Sequence, residues 1–250
     1  MRIHRCSQSY FGVEQLDQRL RHGLVGYWKF NEGSGLTACD LSGKRNHGSI
    51  NGPIWSLGRE HIDNALSFDG VDDYVYLGNP ASLQPSPNIT FSLWFNFTTA
   101  QIEKVMIRKR SYGYSIKTDA TNGNKIRVVI CTSSTVDLDW TSSVLYNDGK
   151  WHFAVATCDG NELKVYVDGN LEGTVTGGAG AIYYGSGGIA IGRDGDYDGG
   201  YFNGLIDDVR IYNRAAEIGE IKAHYCAGLD RLLANGLIDQ QEYQTRIAIK

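Results

Sequence analysis

The chain has 250 residues, with 24 Lys and Arg against 28 Asp and Glu, for a net charge of −4. That length buries a sizeable core in one large domain or two small ones. The mild acidity, with no block of Lys or Arg, argues against nucleic acid or an anionic membrane surface as the main partner, and no apolar run approaches the ~20 residues of a spanning helix. Glycine is the outlier, at 31 residues beside only 4 prolines. Together with 15 Tyr, 5 Trp and 8 Phe, it suits short strands joined by tight turns.

Residues 1–22 read as a polar N-terminal arm, with a short helix around Val13–Leu20 and no apolar segment of the kind a secretory leader carries. From Gly23 onward, strand-like runs recur: Gly26–Asn31, Ala65–Phe68, Tyr74–Leu77, Ile89–Phe97, Tyr112–Lys117, Ile126–Cys131, Trp151–Cys158, Leu163–Val167, Ile189–Ile191 and Leu205–Tyr212. In Ile89–Phe97 the alternation places Phe91, Leu93, Phe95 and Phe97 on one face and Ser92, Trp94 and Asn96 on the other. Asp159-Gly160-Asn161 and Asp168-Gly169-Asn170 carry hairpin chemistry. Strands at this spacing, with no helices between them, predict an antiparallel sandwich or barrel.

After Asn213 the period becomes helical. Ile218, Ile221 and Tyr225 are followed by Leu229, Leu232 and Leu233, with Gly236 as a stop and Asp239-Gln-Gln-Glu242 as a capping box. The predicted organisation is an arm (1–22), a β-sandwich (23–225) and a C-terminal helical hairpin (226–250). The hairpin's apolar face is too small to fold alone. The five cysteines (Cys6, Cys39, Cys131, Cys158, Cys226) show no paired spacing and read as mostly buried thiols in a reducing setting, Cys158 in the core; a disulfide has no support in the pattern but stays open.

Several segments in order carry a resemblance. They are Gly26-Tyr-Trp-Lys-Phe-Asn-Glu-Gly-Ser-Gly35, Asp40-Leu-Ser-Gly-Lys-Arg-Asn-His-Gly48, Ala65-Leu-Ser-Phe-Asp-Gly-Val-Asp-Asp-Tyr-Val75 and Phe202-Asn-Gly-Leu-Ile-Asp-Asp-Val-Arg-Ile-Tyr-Asn-Arg214. Trp151-His-Phe-Ala-Val155 and Val165-Tyr-Val-Asp-Gly169 fit the same pattern. Over Gly23–Tyr225 the chain resembles concanavalin A-like, laminin G-like (pentraxin-like) domains. The resemblance implies an all-β, two-sheet antiparallel jelly-roll sandwich whose loops and concave face often bind glycans, and an extracellular, cell-surface or virion-surface setting. The tail from Leu229 resembles the short helical hairpins at the C-termini of many bacterial proteins.

The resemblance also implies a structural calcium, with Glu32, Asp40, Asn46 and Asp207 in the matching segments; neighbours in a strand face opposite ways, so only one of Asp207 and Asp208 can ligate from inside the sheet, and the resemblance points to Asp207. The same Glu32 and Asp40 equally suit plain turns that bind nearby amides. A second calcium candidate is Asp194-Gly-Asp196-Tyr-Asp198-Gly199, which has the opening spacing of an EF-hand but Leu205 at the twelfth position and no flanking helices. As a rival, it reads as a solvated hairpin loop.

Catalysis is not expected. The paired strand carboxylates of the fold's glycosidases are missing, and Asp137-Leu-Asp139 is only a partial imitation. No Ser or Cys has a histidine in motif context, His152 reads as a hydrogen-bonded structural residue, and Gly185-Ser-Gly-Gly188 reads as a loop between strands. Carbohydrate binding would instead rest on aromatics beside polar loops: Trp140, Tyr183, Tyr184, Tyr197 and Tyr201, with the Tyr112/Tyr114 pair. Trp28, Trp94 and Trp151 are expected inside the sandwich. The leading expectation is a non-catalytic module for a carbohydrate or glycoconjugate, with the calcium assistance that the resemblance implies. The rival is a structural subunit of a surface layer, virion or filament, self-associating through the arm and the hairpin.

Overall fold

The computed structural model describes residues 21–56, 64–133 and 135–248. Among them the strands run β1 (Leu24–Trp28), β2 (Thr37–Ala38), β3 (Gly48–Asn51), β4 (Ile54–Ser56), β5 (Ala65–Asp69), β6 (Tyr74–Gly78), β7 (Ile89–Asn96) and β8 (Val105–Lys109). They continue with β9 (Tyr114–Thr118), β10 (Ile126–Cys131), β11 (Asp137–Thr141), β12 (His152–Cys158), β13 (Glu162–Val167), β14 (Asn170–Thr176), β15 (Ile189–Ile191) and β16 (Asn203–Tyr212). Two helices close the chain, α1 (Ile218–Ala234) and α2 (Gln240–Ala248). One sheet has the order β14-β13-β12-β7-β16-β5-β4, with β1 also on β16; the other has the order β11-β10-β9-β8-β15-β6-β3-β2. All pairings are antiparallel, giving the two-layer jelly-roll sandwich the sequence predicts.

The core lies between the sheets. Phe91, Leu93, Phe95 and Phe97 point into it, as do Ala154, Ala156 and Cys158 from β12. Between β13 and β14, Asp168 and Gly169 both take left-handed φ values of 51° and 79°, the signature of a two-residue hairpin turn. The expected strands are present, but β2, β3, β4, β8, β11 and β14 were not anticipated. The first three are only two to four residues long, and β11 and β14 are edge strands with exposed, polar positions.

Trp94 and Trp151 correct the expectation of a packed interior position. Both lie on the outer face of the first sheet, where α1 covers them with Ile221, Tyr225, Leu229 and Leu232. Trp94 stacks on Tyr225 at 5.7 Å and on Phe153 at 5.2 Å. At Gly228 an added Cβ would meet the Trp94 ring at 2.1 Å, so helix and indole can approach only because that position lacks a side chain. The predicted boundary between 225 and 226 falls inside the continuous helix α1. The Glu217–Glu220 capping box opens that helix. Gly236, at φ 67°, ends it, with the Leu237 amide donating to the Leu232 carbonyl. Asp239 caps α2 by accepting the Glu242 amide at 2.7 Å. The arm expected over 1–22 lies, but for its last two residues, outside the described residues.

A buried ionic cluster joins helix to sheet. Asp208, 1% exposed, receives Arg210 at 2.8 Å and Arg231 of α1 at 2.5 Å. Arg210 also donates to the Tyr27 hydroxyl at 3.1 Å and lies over its ring. Burial alone would raise the Asp208 carboxyl, but the two guanidinium groups outweigh it and hold the group well below the usual carboxylate range. The geometry rests on a bulge between Asp207 and Arg210, with Asp208 at φ 55°.

Cysteine chemistry corrects the reduced-thiol expectation in part: Cys39 is disulfide-bonded, whereas Cys131 and Cys158 are free thiols.

Replacing Asp208 with Ala is expected to cost about 3–5 kcal/mol, because two cations then lose their shared anion; urea denaturation measures it, and a loss below ~1 kcal/mol would remove the cluster as the helix's anchor. A second expectation concerns acid. Burial, aided by Arg210, pushes His224 of α1 down to about 3, while the unfolded chain protonates it near 6.5. Its contribution is therefore complete above pH 6.5 and lost as pH falls toward 3. His224→Gln should flatten the fall of Tm between those values, and an unchanged slope would assign the acid sensitivity elsewhere.

Candidate functional site

On the outer face of the second sheet, a groove of about 510 Å³ runs across β8–β11. Cross-strand register builds it. Arg108 opposes Ser115, Ser115 opposes Val129 and Val129 opposes Asp139, while Arg127 opposes Lys117 in the next row. Short side chains at Ser115, Val129 and Cys131 leave the middle low, and long charged ones stand around them. The period-two pattern of β10 puts Arg127, Val129 and Cys131 on this face and Ile126, Val128 and Ile130 in the core.

Ion pairs fix the charged walls. Asp194 Oδ2 receives Arg108 at 3.1 Å and Arg110 at 3.2 Å, and Arg110 also approaches Asp196 at 3.7 Å. Arg127 grips Asp139 with both Nε and Nη2 and lies 3.6 Å from Glu103, which in turn holds Lys117 at 2.6 Å. Asp194 Oδ1 is buried and has no hydrogen-bond partner. Cys131 stays a neutral thiol in the groove, burial and the neighbouring Asp137 pushing it up to about 12.

One end of the groove is shaped by a strained turn. Ser111, Tyr112 and Gly113 all have positive φ, at 54°, 73° and 98°, and Tyr112 is left 43% exposed. Beneath it Lys109, 1% exposed, donates to the carbonyls of Gly185 at 2.7 Å, Gly187 at 2.5 Å and Arg110 at 3.3 Å. Burial lowers the Lys109 ammonium. The Gly185–Gly188 loop therefore presents acceptors to a cation, the opposite polarity to a phosphate cradle. It can lie this close because Cβ atoms at Gly185 and Gly187 would strike Ser111 and Arg110 at 2.2 and 2.9 Å.

The predicted aromatics divide. Tyr183 meets Tyr112 edge-on at 4.9 Å, and Tyr197 carries the Arg110 guanidinium 4.3 Å above its ring, so both belong to the groove's rim. Trp140 lies in β11, not a loop, and packs over Gly173 of β14, where it closes the sandwich edge. Tyr184 packs against the core and donates to the Pro85 carbonyl at 2.6 Å. Tyr114 is core, donating to the Leu83 carbonyl at 3.1 Å. Tyr201 is tied to Asp198 at 2.5 Å.

The expected calcium ligands are also redistributed. Asp40 accepts four hydrogen bonds from the protein: the amides of Tyr27 and Ser42 on Oδ1, the Ser42 hydroxyl and the Asn46 amide on Oδ2. Asn46 is engaged by Val25 and Ser82, and Glu32 accepts the Cys39 amide at 2.6 Å. Asp207 lies instead beside Trp94 and Arg231 under α1. Near Asp207 and Asp208 the bulge breaks the strict alternation that would set the two on opposite faces. Asp194 and Asp196 pair with arginines and Asp198 accepts from the Tyr201 hydroxyl. Among the described residues, the one cluster of three carboxylates is Asp69, Asp72 and Asp73, with ligand oxygens within 4.8 Å of one another. Asp69 and Asp73 already accept the Val71 and Asp69 amides at 2.8 Å. His152 is the structural histidine expected, between Asp168 at 2.7 Å and Asp148 at 3.1 Å.

Sequence reasoning missed Arg108, Arg110, Lys117 and Arg127, and the role of Asp194 as the acid that Arg108 and Arg110 share. The alternation of β10 was a usable signal for Arg127, but nothing local joins it to Asp194.

With this fold and surface established, the chain belongs to the concanavalin A-like lectin/glucanases superfamily, whose profile matches residues 69–222. It is similar to the binding domain of Paraclostridial Mosquitocidal Protein 1 (TM-score 0.67, 14% identity, covering 84% of this chain and 53% of that one). It is also similar to domain 4 of AbnA, a GH43 extracellular arabinanase from Geobacillus stearothermophilus, solved in complex with arabinotriose (TM-score 0.62, 19% identity, 80% and 97%). A third is the receptor binding domain of botulinum neurotoxin D (TM-score 0.63, 15% identity, 84% and 54%). The chain thus spans about half the length of the two toxin domains, and at these identities the likeness is one of fold. No curated protein matches the sequence at a significant level.

Asp40→Ala is expected to lose about 2–4 kcal/mol of stability through its broken hydrogen bonds. Melting with calcium and with chelator should show the same loss; a loss seen only with calcium would restore Asp40 as a ligand.

Proposed function

We propose that the chain is a non-catalytic recognition module that binds a carbohydrate or glycoconjugate in the groove across β8–β11. One observation carries the reading: a groove of about 510 Å³ on the outer face of the second sheet, open among the described residues, whose charged groups are held in place by ion pairs beside the exposed ring of Tyr112. Fixed donors and acceptors can exchange hydrogen bonds with sugar hydroxyls at little ordering cost, and a tyrosine ring offers a face to a sugar's C–H surface. The arabinotriose-bound relative adds support for this ligand class. Catalysis is disfavoured because Asp139, the nearest imitation of a catalytic acid pair with Asp137, is held bidentately by Arg127.

The rival assembly reading uses the N-terminal arm and the C-terminal hairpin for contacts between subunits. The hairpin's apolar face packs on the chain's own sheet, so that face supplies no support for the rival, and the arm lies, but for its last two residues, outside the described residues.

The test is a glycan array run with calcium and again with chelator, on the full chain and on Val129→Trp, which fills the groove. The full chain should bind a coherent set of sugars. The variant, with unchanged Tm, should lose at least about tenfold in affinity. Absence of any saccharide binding under both conditions, or equal binding by the variant, would overturn the reading.

A further inference from the structure

Lys109 places a buried charge beneath the rim of the groove. It ends β8, is 1% exposed and forms no ion pair among the described residues. A cation taken from water with no carboxylate beside it is costly. The three N–H donors of its ammonium meet three backbone carbonyls, those of Gly185, Gly187 and Arg110. Its stem serves a second loop. A Cβ at Gly113 would meet Lys109 Cγ at 2.6 Å, so the Ser111–Gly113 turn lies directly on that stem. One side chain therefore holds two loops, the first with its head and the second with its stem.

The two loops are also joined to each other. The Gly185 amide donates to the Ser111 carbonyl at 2.7 Å, and the Arg110 amide to the Gly188 carbonyl at 3.0 Å. Cys131 of β10 bridges them, its amide donating to the Gly113 carbonyl and its carbonyl accepting from the Tyr183 amide, each at 2.8 Å. Ser111 and Tyr112 stand consecutively at left-handed φ, a strain that persists where surrounding contacts over-determine it. What this frame presents is a corner of two rings. Tyr112 and Tyr183 lie 4.9 Å apart at 66°, 43% and 42% exposed, and among the described residues no hydrogen bond engages either hydroxyl. Neighbouring tyrosines are occupied: the ring of Tyr197 by the Arg110 guanidinium, the hydroxyls of Tyr114 and Tyr184 by the Leu83 and Pro85 carbonyls. Exposed rings with spare hydroxyls suit a ligand that is apolar on its ring face and hydroxylated at its edge, as a sugar unit is.

We propose that Tyr112 and Tyr183 together form the stacking subsite of the groove, taking one sugar ring of the ligand, and that Lys109 is the residue that positions them. Lys109 touches no ligand; it fixes the rings beforehand, so that binding gives up little side-chain freedom. This rests on the recognition reading and adds which residues hold the sugar and what holds those residues.

Titration calorimetry of the full chain tests it, with arabino-, xylo-, manno-, gluco- and galacto-oligosaccharides, oligogalacturonates and chondroitin sulfate oligosaccharides as probes. The tightest probe is then carried through the variants. Tyr112→Ala and Tyr183→Ala, exposed truncations that leave Tm unchanged, should each weaken binding by about tenfold. Lys109→Met keeps the stem and removes the ammonium. Well below its Tm it should weaken binding by a similar factor, and it should lack the near-ultraviolet circular dichroism that Tyr112→Ala removes, a signal that a role in overall stability alone would leave in place. Should Lys109→Met not fold, Gly187→Ala, whose Cβ would come within 2.9 Å of Arg110, displaces the same loop and should show both losses. Undiminished binding by both tyrosine variants, with binding still lost in Val129→Trp, would overturn the subsite and leave the groove as a recognition site. Full binding and an intact ring signal in the folded loop variant would overturn the positioning role. No binding to any probe would take the recognition reading down with the proposal.

Discussion

A charge that cannot be left alone organises this protein. Asp208 sits in β16, the strand that touches β1, β5 and β7 at the centre of one sheet, and its carboxylate is shut away from water. Burying a lone carboxylate costs several kcal/mol. Burying it between Arg210 of its own strand and Arg231 of α1 leaves a compact ionic unit that is tolerable only when strand and helix are both in place. Tyr27 of β1 is held by the same Arg210. The first strand, the last strand and the C-terminal helix are thus committed to one arrangement, and the helix's apolar stripe falls on Trp94, Trp151 and Phe153. Gly228 permits the close approach, and the bulge at Asp208 aims the charge.

That commitment makes the two sheets unlike. The first carries α1 on its outer face, so its central strand β7 is buried on both sides although Thr90, Ser92 and Asn96 keep its sequence alternating. The second keeps its outer face open among the described residues, and β10 beneath it alternates between core aliphatics and outward Arg127, Val129 and Cys131. The groove there is maintained by a lattice of paired charges and by the buried Lys109, whose ammonium holds the Gly185–Gly188 backbone against the Tyr112 turn. Such a surface is rigid before a ligand arrives, the property that lets a shallow site made of modest interactions bind at all.

The acidic turns serve a different purpose. Asp40 gathers the amides of Tyr27, Ser42 and Asn46, and Asn46 in turn holds Val25 and the Trp28 indole, so the loop after β1 is drawn onto the sandwich. Residue types that suit a cation cage also suit a backbone clamp, since both need carboxylate oxygens facing inward. Only the count of amides already within reach separates the two, and that count is a property of the folded chain.

Much of the fold was legible because it depends on local periodicity. The alternation in Ile89–Phe97 and Ile126–Cys131, the Asp-Gly turns, the Gly236 stop and the Asp239 cap all state their structure within a few residues, and the ordered family segments reinforce them. The sequence alone therefore determined a two-sheet sandwich followed by a helical hairpin. It did not determine where the hairpin's face would rest, since Trp94 and Trp151 look the same in a strand whether they face another sheet or a helix. Nor could it show the groove. Arg108, Arg127 and Asp194 are dispersed along the chain, and only cross-strand register and loop closure bring them together. Tertiary structure decided which face is open, which acids are spent on backbone amides and which charges cancel, because each is set by contacts between residues distant in sequence.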